Sequence, residues 1–422
     1  MKKHTIVHGF IYALGSLLII FILHHLPVNQ LFIDPFSEAI KGHDLMDIAI
    51  SKFRNHGSPE LYDDRILIIN SGVTDRQKVA QTIDYLSSTQ VKAIGIDLLF
   101  DSLYYNRDDT ILHEALLQSK SVVLGFTFNE GSTHDNSEMG LQSDSFLSAY
   151  SHSGYVNLAS NDGFSVRAFE PFHLIDGIEY NSFSVEICRL YSEELLTSLK
   201  TRKNQKEWIN FKRLQPGAQN MYYPVNSSKM IHYDLLEMEQ FLSDTANYEK
   251  SQFANKIVLI GFCGENEKAL SMKDRYYTPL NEQYTGRSLP DMHGVVVHAN
   301  IISMILDKDF IYDVSIKMIY LLSLILFLFN YSVFKILHHY NFFRSLPYIR
   351  FLQVVEFFII LAICLFLLLN LNIKLGFTFL ATCVILSYEF YEIYEQKLKE
   401  NVQIVIDELA LWTQRSRLIS KS

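Results

Sequence analysis

The sequence predicts an α/β fold, a mostly parallel β-sheet with helices on both faces, joined to four transmembrane α-helices. Three observations predict it. The runs DRILIIN, VKAIGIDLLF, SVVLGFTF and KIVLIGFC are apolar without alternation, the pattern of strands covered on both faces. Segments of helical periodicity separate the first three by short connections, which marks βαβ units and, by the right-handed crossover rule, a parallel sheet. Long uncharged runs lie near the two ends of the chain.

Residues 10–26 (FIYALGSLLIIFILHHL) form the first expected span, at the lower limit for a hydrocarbon core of about 30 Å. Lys2 and Lys3 precede it and no A-x-A cleavage pattern follows, so it reads as an uncleaved anchor. Residues 34–55 have the spacing of a helix leading off the membrane, stopped by Gly57, Ser58 and Pro59. After the strand DRILIIN, residues 74–88 place Val79, Ile83 and Leu86 on one helical face, with Thr74 as N-cap. The strand VKAIGIDLLF precedes a helix over residues 108–118, whose Asp108 and Asp109 suit its positive N-terminal end. SVVLGFTF is the third strand and residues 129–145 read as a surface loop.

GYVNLASNDGFSVRAFEPFHLI reads as two β-runs joined in a hairpin at Asn161, Asp162 and Gly163. Residues 182–191 suit a helix with a buried face, WINFKRL a return to the sheet, and residues 216–249 short elements only. KIVLIGFC is the last strand, and an amphipathic helix over residues 295–306 then delivers the chain to spans at 316–334, 351–369 and 375–391. No internal repeat or low-complexity tract interrupts this order.

Lys335, Arg344 and Arg350 make the loop 335–350 basic, whereas only NLNIK joins the last two spans at residues 370–374. By the positive-inside rule that loop, residues 1–9 and the tail 392–422 are cytoplasmic, and residues 27–315 form one extracytoplasmic domain. The formal charge of -9 argues against nucleic acid as a partner, which needs a concentrated basic face. The exported part carries only Cys188 and Cys263, so there is no disulfide framework. The two read as buried thiols, a single bridge between them being the alternative. Glu356 and Glu389 sit near span ends and read as snorkelling acids.

In the tail, Leu398, Val402, Val405, Leu409, Trp412 and Ile419 follow a heptad-like stripe, with Ser416 in the intervening core place. One reading is a helix pairing with its copy in a homodimer or with another partner. The other is a helix on the inner leaflet, with Lys397, Lys399, Arg415, Arg417 and Lys421 near anionic lipid.

Ligands of open α/β sheets lie outside the carboxyl ends of the strands. Asn70, Asp97, Asp101, Gly261 and Gly264 fall there, and His298 and Asn300 follow on the next helix. Each also has a plain structural reading. Asp97 can accept hydrogen bonds from a neighbouring loop, Asp101 can cap a turn, and GFCG, lacking the full G-x-G-x-x-G pattern, suits a tight strand exit better than a phosphate cradle. His293 and His298 are five apart and do not share a helical face as metal ligands would. Cys263 has no identifiable base. G-x-S-x-G, H-E-x-x-H and P-loop patterns are absent, so no catalytic residue, metal or cofactor is expected.

Taken in order, DRILIIN, VKAIGIDLLFD, RDDTILHEALLQSKSVVLGF, SGYVNLASNDGFSVRAF, SFSVEI, NKIVLIG, YYTPL and MHGVVVHANIISMIL resemble the CHASE2 family of bacterial extracytoplasmic sensory domains. The resemblance covers most of residues 63–306. It implies a sensor of an unidentified small molecule or envelope protein, held in the inner membrane by one span before the domain and usually three after it. Family members normally carry a kinase, a nucleotide cyclase or a related module at the cytoplasmic end; here about 30 residues follow Tyr391, too few for such a domain. Asn70, Ser71 and Gly72 also stand where members commonly carry acids. The expectation is therefore a non-enzymatic sensor or adaptor read by a separate cytoplasmic signalling protein. The alternatives are an exported enzyme, with Asp97 and Asp101 as acid and base, and a structural component of an envelope complex.

Overall fold

The computed structural model describes residues 2–25, 45–54, 63–73, 75–100, 107–129, 138–140, 152–158, 165–175, 177–213, 233–265, 271–281, 289–339 and 346–419. The chain divides into two units, one of Glu38–Ile311 and the other of Met1–Ser37 with Tyr312–Ser422.

In the first unit the apolar runs become β1 (Ile66–Asn70), β2 (Ala93–Asp97), β3 (Val122–Asn129) and a central strand, Ile257–Gly261. With β4 (Glu138–Gly140), β5 (Ser153–Tyr155) and β6 (Asp234–Glu237) they form a seven-stranded sheet in which Ile257–Gly261 is β7. The order is β6-β1-β7-β2-β3, all parallel, and β3 also pairs with β5 in parallel and with β4 antiparallel. Register aligns Leu67, Val258, Ile94 and Val122 in one row and Ile69, Ile260, Ile96 and Leu124 in the next row of the same face. These rows pack on α1 (Arg76–Ser87), α2 (Arg107–Gln118) and the short helix Met238–Ser243.

The opposite face carries α3 (Phe183–Tyr191) and α4 (Gly294–Leu306). Gly95 makes room for α3: a Cβ there would lie 2.5 Å from Ile187 Cδ1 and 2.8 Å from Phe183 Cζ. Helices thus cover both faces of a mostly parallel sheet, as expected.

Several expectations change in detail. α4 is not amphipathic, since every residue from Gly294 to Ile305 is buried. Its Val and Ile side chains each contribute about 1.5–3 kcal/mol on burial, which outweighs the local cost of β-branching in a helix. The N-cap of α1 is Asp75, whose side chain accepts from the Lys78 amide at 2.8 Å; Thr74 lies outside the described residues. The expected hairpin is replaced by separate pairings. Ser153–Tyr155 joins β3, whereas Ala168–Phe169 pairs with Glu207–Trp208, so the WINFKRL segment meets that small ribbon and not the main sheet. Asn161, Asp162 and Gly163 lie outside the described residues. A different hairpin, Phe172–Ile175 with Ile178–Asn181, turns at Gly177, where φ is +78°. β4 and β6 arise in stretches read as loop and as short elements. Cys188 and Cys263 are free thiols, which removes the bridge.

The second unit is helical: Lys2–His25, Ile316–His339, Leu346–Leu371 and Phe377–Ile393, the last continuing through a π turn at Tyr394–Leu398 into Lys399–Ile419. Three described helices, with windows over Thr5–Ile22, Ile316–His339 and Leu346–Leu371, are long and apolar enough to cross a membrane. Phe377–Ile393, where a fourth span is expected, has 17 residues and falls just short. A ring cluster of Tyr12, Phe327, Tyr331, Phe334, Tyr388, Tyr391 and Tyr394 holds the bundle together. Polar links cross it: Tyr12 donates to the Ser387 carbonyl at 2.7 Å and Gln353 to the Val384 carbonyl at 2.7 Å. Neither glutamate read as snorkelling stands alone, since Asn330 donates to Glu356 at 3.1 Å and Arg350 pairs with Glu389.

A Cβ on Gly261 would lie 2.7 Å from Val295 Cβ, closer than real contacts allow. Gly261→Ala is expected to destabilise the protein by about 1–3 kcal/mol through overpacking. Thermal unfolding of the full chain in detergent checks this, and an unchanged midpoint would mean that α4 moves aside without cost.

Candidate functional site

Because six strands run in parallel, their carboxyl ends lie together, and the connections leaving β1, β2 and β7 diverge around a cleft of about 1260 Å³. Asp97, the last residue of β2, lines it. The residue is partly exposed to the cleft, and its carboxyl group accepts no hydrogen bond from any described residue. Burial, and then the neighbouring Asp274 carboxyl, push its pKa well above the usual carboxylate range.

Asp274 lies opposite, in the segment that follows the polar loop after β7. Its backbone is left-handed, with φ at +56°, a conformation that Asp tolerates better than most residues. This seats its carboxyl over the first residue of α4, where a Cβ on Gly294 would lie 3.0 Å from Asp274 Oδ2. The Asp274 carbonyl accepts from the Gly294 amide at 3.1 Å. Desolvation raises the carboxyl pKa to about 6, against hydrogen bonds from Tyr276 and Gly294 that favour the charged form. Such a pair can share a proton between its members or hold a cation.

The rest of the wall is mixed. Phe262, Leu98, Leu99 and Val73 are apolar; Lys273 lies over the Phe262 ring, 5.4 Å from its centroid. Asp75, Asp108 and Glu265 add acids, while Arg76 is held by Asp109. The Thr127 hydroxyl oxygen is buried and has no hydrogen-bond partner among the described residues.

Of the residues singled out from sequence, Asp97 and His298 line this cleft. His298 is already engaged: its ring donates to the Val156 carbonyl, which leaves Nδ1 to accept from the Ser184 hydroxyl at 2.9 Å. Burial lowers its pKa to about 4, so it stays neutral.

The others are structural. Asn70 donates to Glu237 at 2.9 Å and to the Gly264 carbonyl at 3.1 Å, and accepts from the amides of Gly72 and Cys263 at 3.1 and 2.8 Å. It pins the glycine turn to the end of β1 and borders a smaller neighbouring cleft with Glu237 and Glu265. Gly261 admits Val295, and Gly264, at φ +119°, makes the turn itself. Asn300 lies away from both clefts and holds residues 212–213 by accepting from the amides of Lys212 and Arg213 and donating to the Arg213 carbonyl. Asp101 lies outside the described residues.

Sequence reasoning missed Asp274, Tyr276 and Lys273. Their signal is the charged triplet KDR before YYTPL, which marks a loop that must return to the start of α4. His293 caps no group with its side chain and instead accepts from Arg275 Nε at 3.1 Å; burial, then the Arg275 charge, lower its pKa to about 3. Among the described residues no three His, Cys, Asp or Glu side chains converge to hold a metal ion.

From its amino end at this cleft, the 13-residue α4 spans about 20 Å to the opposite edge of the sheet. There Ser303 donates to Asp63 at 2.8 Å and contacts the Tyr233 hydroxyl at 2.9 Å. Arg65 bridges Asp63 and Asp307, each at 2.7 Å. Burial alone would raise the Asp63 pKa, but hydrogen bonds from Arg65 and Ser303 and the Arg213 charge hold it below the ordinary value.

The family model described as CHASE2 domain matches residues 61–333, more than half of the chain. No curated protein and no solved structure matches it.

Asp291 supplies a pH test beside the cleft. It is buried and accepts from the Thr278 amide and hydroxyl at 2.8 and 2.5 Å, yet desolvation still lifts its pKa to about 6. An acid whose folded pKa is raised stabilises the fold fully below about pH 4, and that contribution is lost as pH rises through about 6. Asp291→Asn is expected to flatten the fall in unfolding midpoint between pH 4 and 7. Equal slopes for the two proteins in melting curves would overturn this.

Proposed function

The chain belongs to the CHASE2 family of extracytoplasmic sensory domains, and from that premise we propose that it is a membrane-anchored sensor or signalling adaptor. The strand-end cleft binds a small molecule or an envelope protein, and α4 carries the resulting displacement toward the membrane. One observation carries the reading: the Asp274 carboxyl sits on the first residue of α4, and the chain leaves the far end of that helix for Ile316–His339 within ten residues. A ligand can shift the relay only by its differential affinity for the two positions of the helix.

Four spans with both termini in the cytoplasm suit the bundle. Phe377–Ile393 buries Leu380, Cys383, Val384 and Tyr388 among its neighbours and, at 17 residues, reaches the lower end of spanning lengths. Tyr312–Asp313 pairs with Ile373–Lys374 at one end, and Lys335 bonds Thr5 at 3.1 Å at the other. That alternation supports an inner-membrane bundle with the N-terminus and the tail at the same end. Val405, Leu409 and Trp412 remain exposed along the tail helix, which favours a partner there, either a second copy or a separate cytoplasmic signalling protein.

The Asp97 and Asp274 pair supports a second reading, an exported enzyme using the two as acid and base. Loss of a measurable turnover in a folded Asp97→Asn protein would favour it.

Removing residues 399–422 is expected to abolish cross-linking to cytoplasmic proteins in cells while leaving hydrogen exchange in β1, β2 and β7 unchanged. If every cytoplasmic cross-link and every downstream response survived the truncation, the adaptor reading would fail.

A further inference from the structure

The strand-end cleft combines three features that point to the chemistry of its ligand. Asp97 and Asp274 share this cleft: Asp97 stands beside Gly261 in the neighbouring strand, and Asp274 lies over the first residue of α4, where a Cβ on Gly294 would lie 3.0 Å from its Oδ2. Asp97 has no hydrogen-bond donor among the described residues, and beside it the Thr127 hydroxyl oxygen is buried without a partner. Buried polar groups in native proteins are nearly always satisfied, so the unmet Thr127 hydroxyl, together with an Asp97 carboxyl that faces the cleft, leaves room for a polar partner from outside the chain.

The charges select the sign of that donor. Five acidic residues line the cleft against two basic ones, of which Arg76 is held by Asp109, and a bound cation would favour the ionised form of Asp97 and Asp274. The amino end of α4 offsets this by only about half a unit charge. Phe262, Leu98 and Leu99 supply an apolar wall beside the carboxyls, and Lys273 already lies over the Phe262 ring, 5.4 Å from its centroid. A divalent metal would need more oxygen ligands than these two carboxyls provide, and no group of three such side chains converges among the described residues.

We propose that the cleft binds an organic cation, a primary amine or guanidinium carried on an apolar body, with the charged head between Asp97 and Asp274 and the body against Phe262. The proposal rests on the sensor reading of the cleft and names its ligand class. Binding places the head beside Gly294, so the cation acts on the first turn of α4.

The test is isothermal titration of the full chain in detergent with phenethylamine, agmatine and putrescine, beside 2-phenylethanol as neutral isostere and calcium chloride. At least one amine is expected to saturate, 2-phenylethanol and calcium are expected not to, and Asp97→Asn and Asp274→Asn are each expected to weaken the amine about tenfold or more. Melting midpoints without ligand establish that both variants fold, and Phe262→Ala, which leaves the carboxyls in place, is expected to weaken phenethylamine more than putrescine. The proposal is overturned if none of the three amines binds, if 2-phenylethanol or calcium binds as well as the amines, or if both carboxyl variants bind the amines normally. Those results would leave the sensor reading standing, because the tail cross-links test it separately.

Discussion

The architecture depends on one constraint: α4 is buried on every side and must still satisfy each polar group it carries. His298 is met by Ser184 and the Val156 carbonyl, Asn300 by residues 212–213, and Ser303 by Asp63 and Tyr233. An unmet buried group would cost about 1–3 kcal/mol, enough to undo the burial of one of the helix's own valines. The helix therefore has a single well-defined seat. Gly261 serves it from the sheet by withholding a side chain where Val295 lies closest, as Gly95 does for α3.

The same seat joins chemistry to mechanics. The amino end of α4 belongs to the wall of the strand-end cleft, and its carboxyl end to the network of Asp63, Arg65 and Asp307. At the first end Asp97 has no donor among the described residues and desolvation raises Asp274 despite its two, whereas Asp63 at the second is held below the ordinary value by its donors. One end is thus poised to respond to added charge and the other is anchored.

Much of this could be read from residue order. Runs such as DRILIIN and KIVLIG are apolar at consecutive positions, which only a strand covered on both faces tolerates, and the helices between them follow from periodicity. β6 was not legible because DLLE is four residues long with a charge at each end, as an edge strand permits. The site was half legible. Asp97 stands at the end of an obvious strand, but the importance of Asp274 comes from its contact with Gly294, 20 positions later, and no local pattern encodes that. Asn70 and Asn300 were misjudged for one physical reason: a buried amide can replace several missing backbone partners at once, and in sequence it looks the same as an amide held ready for a ligand.

The complete burial of α4 also bears on how fast and how far a signal can travel. Elements that transmit by melting are usually drawn from the least stable part of a fold. A helix with no solvent-facing side belongs to the most protected part, and its amides exchange only when the whole domain opens. Rotation about its axis would take His298, Asn300 and Ser303 off their partners together. In the sensor proposed above such a helix would act as one rigid body with its partners, closer to a push-rod than to a hinge.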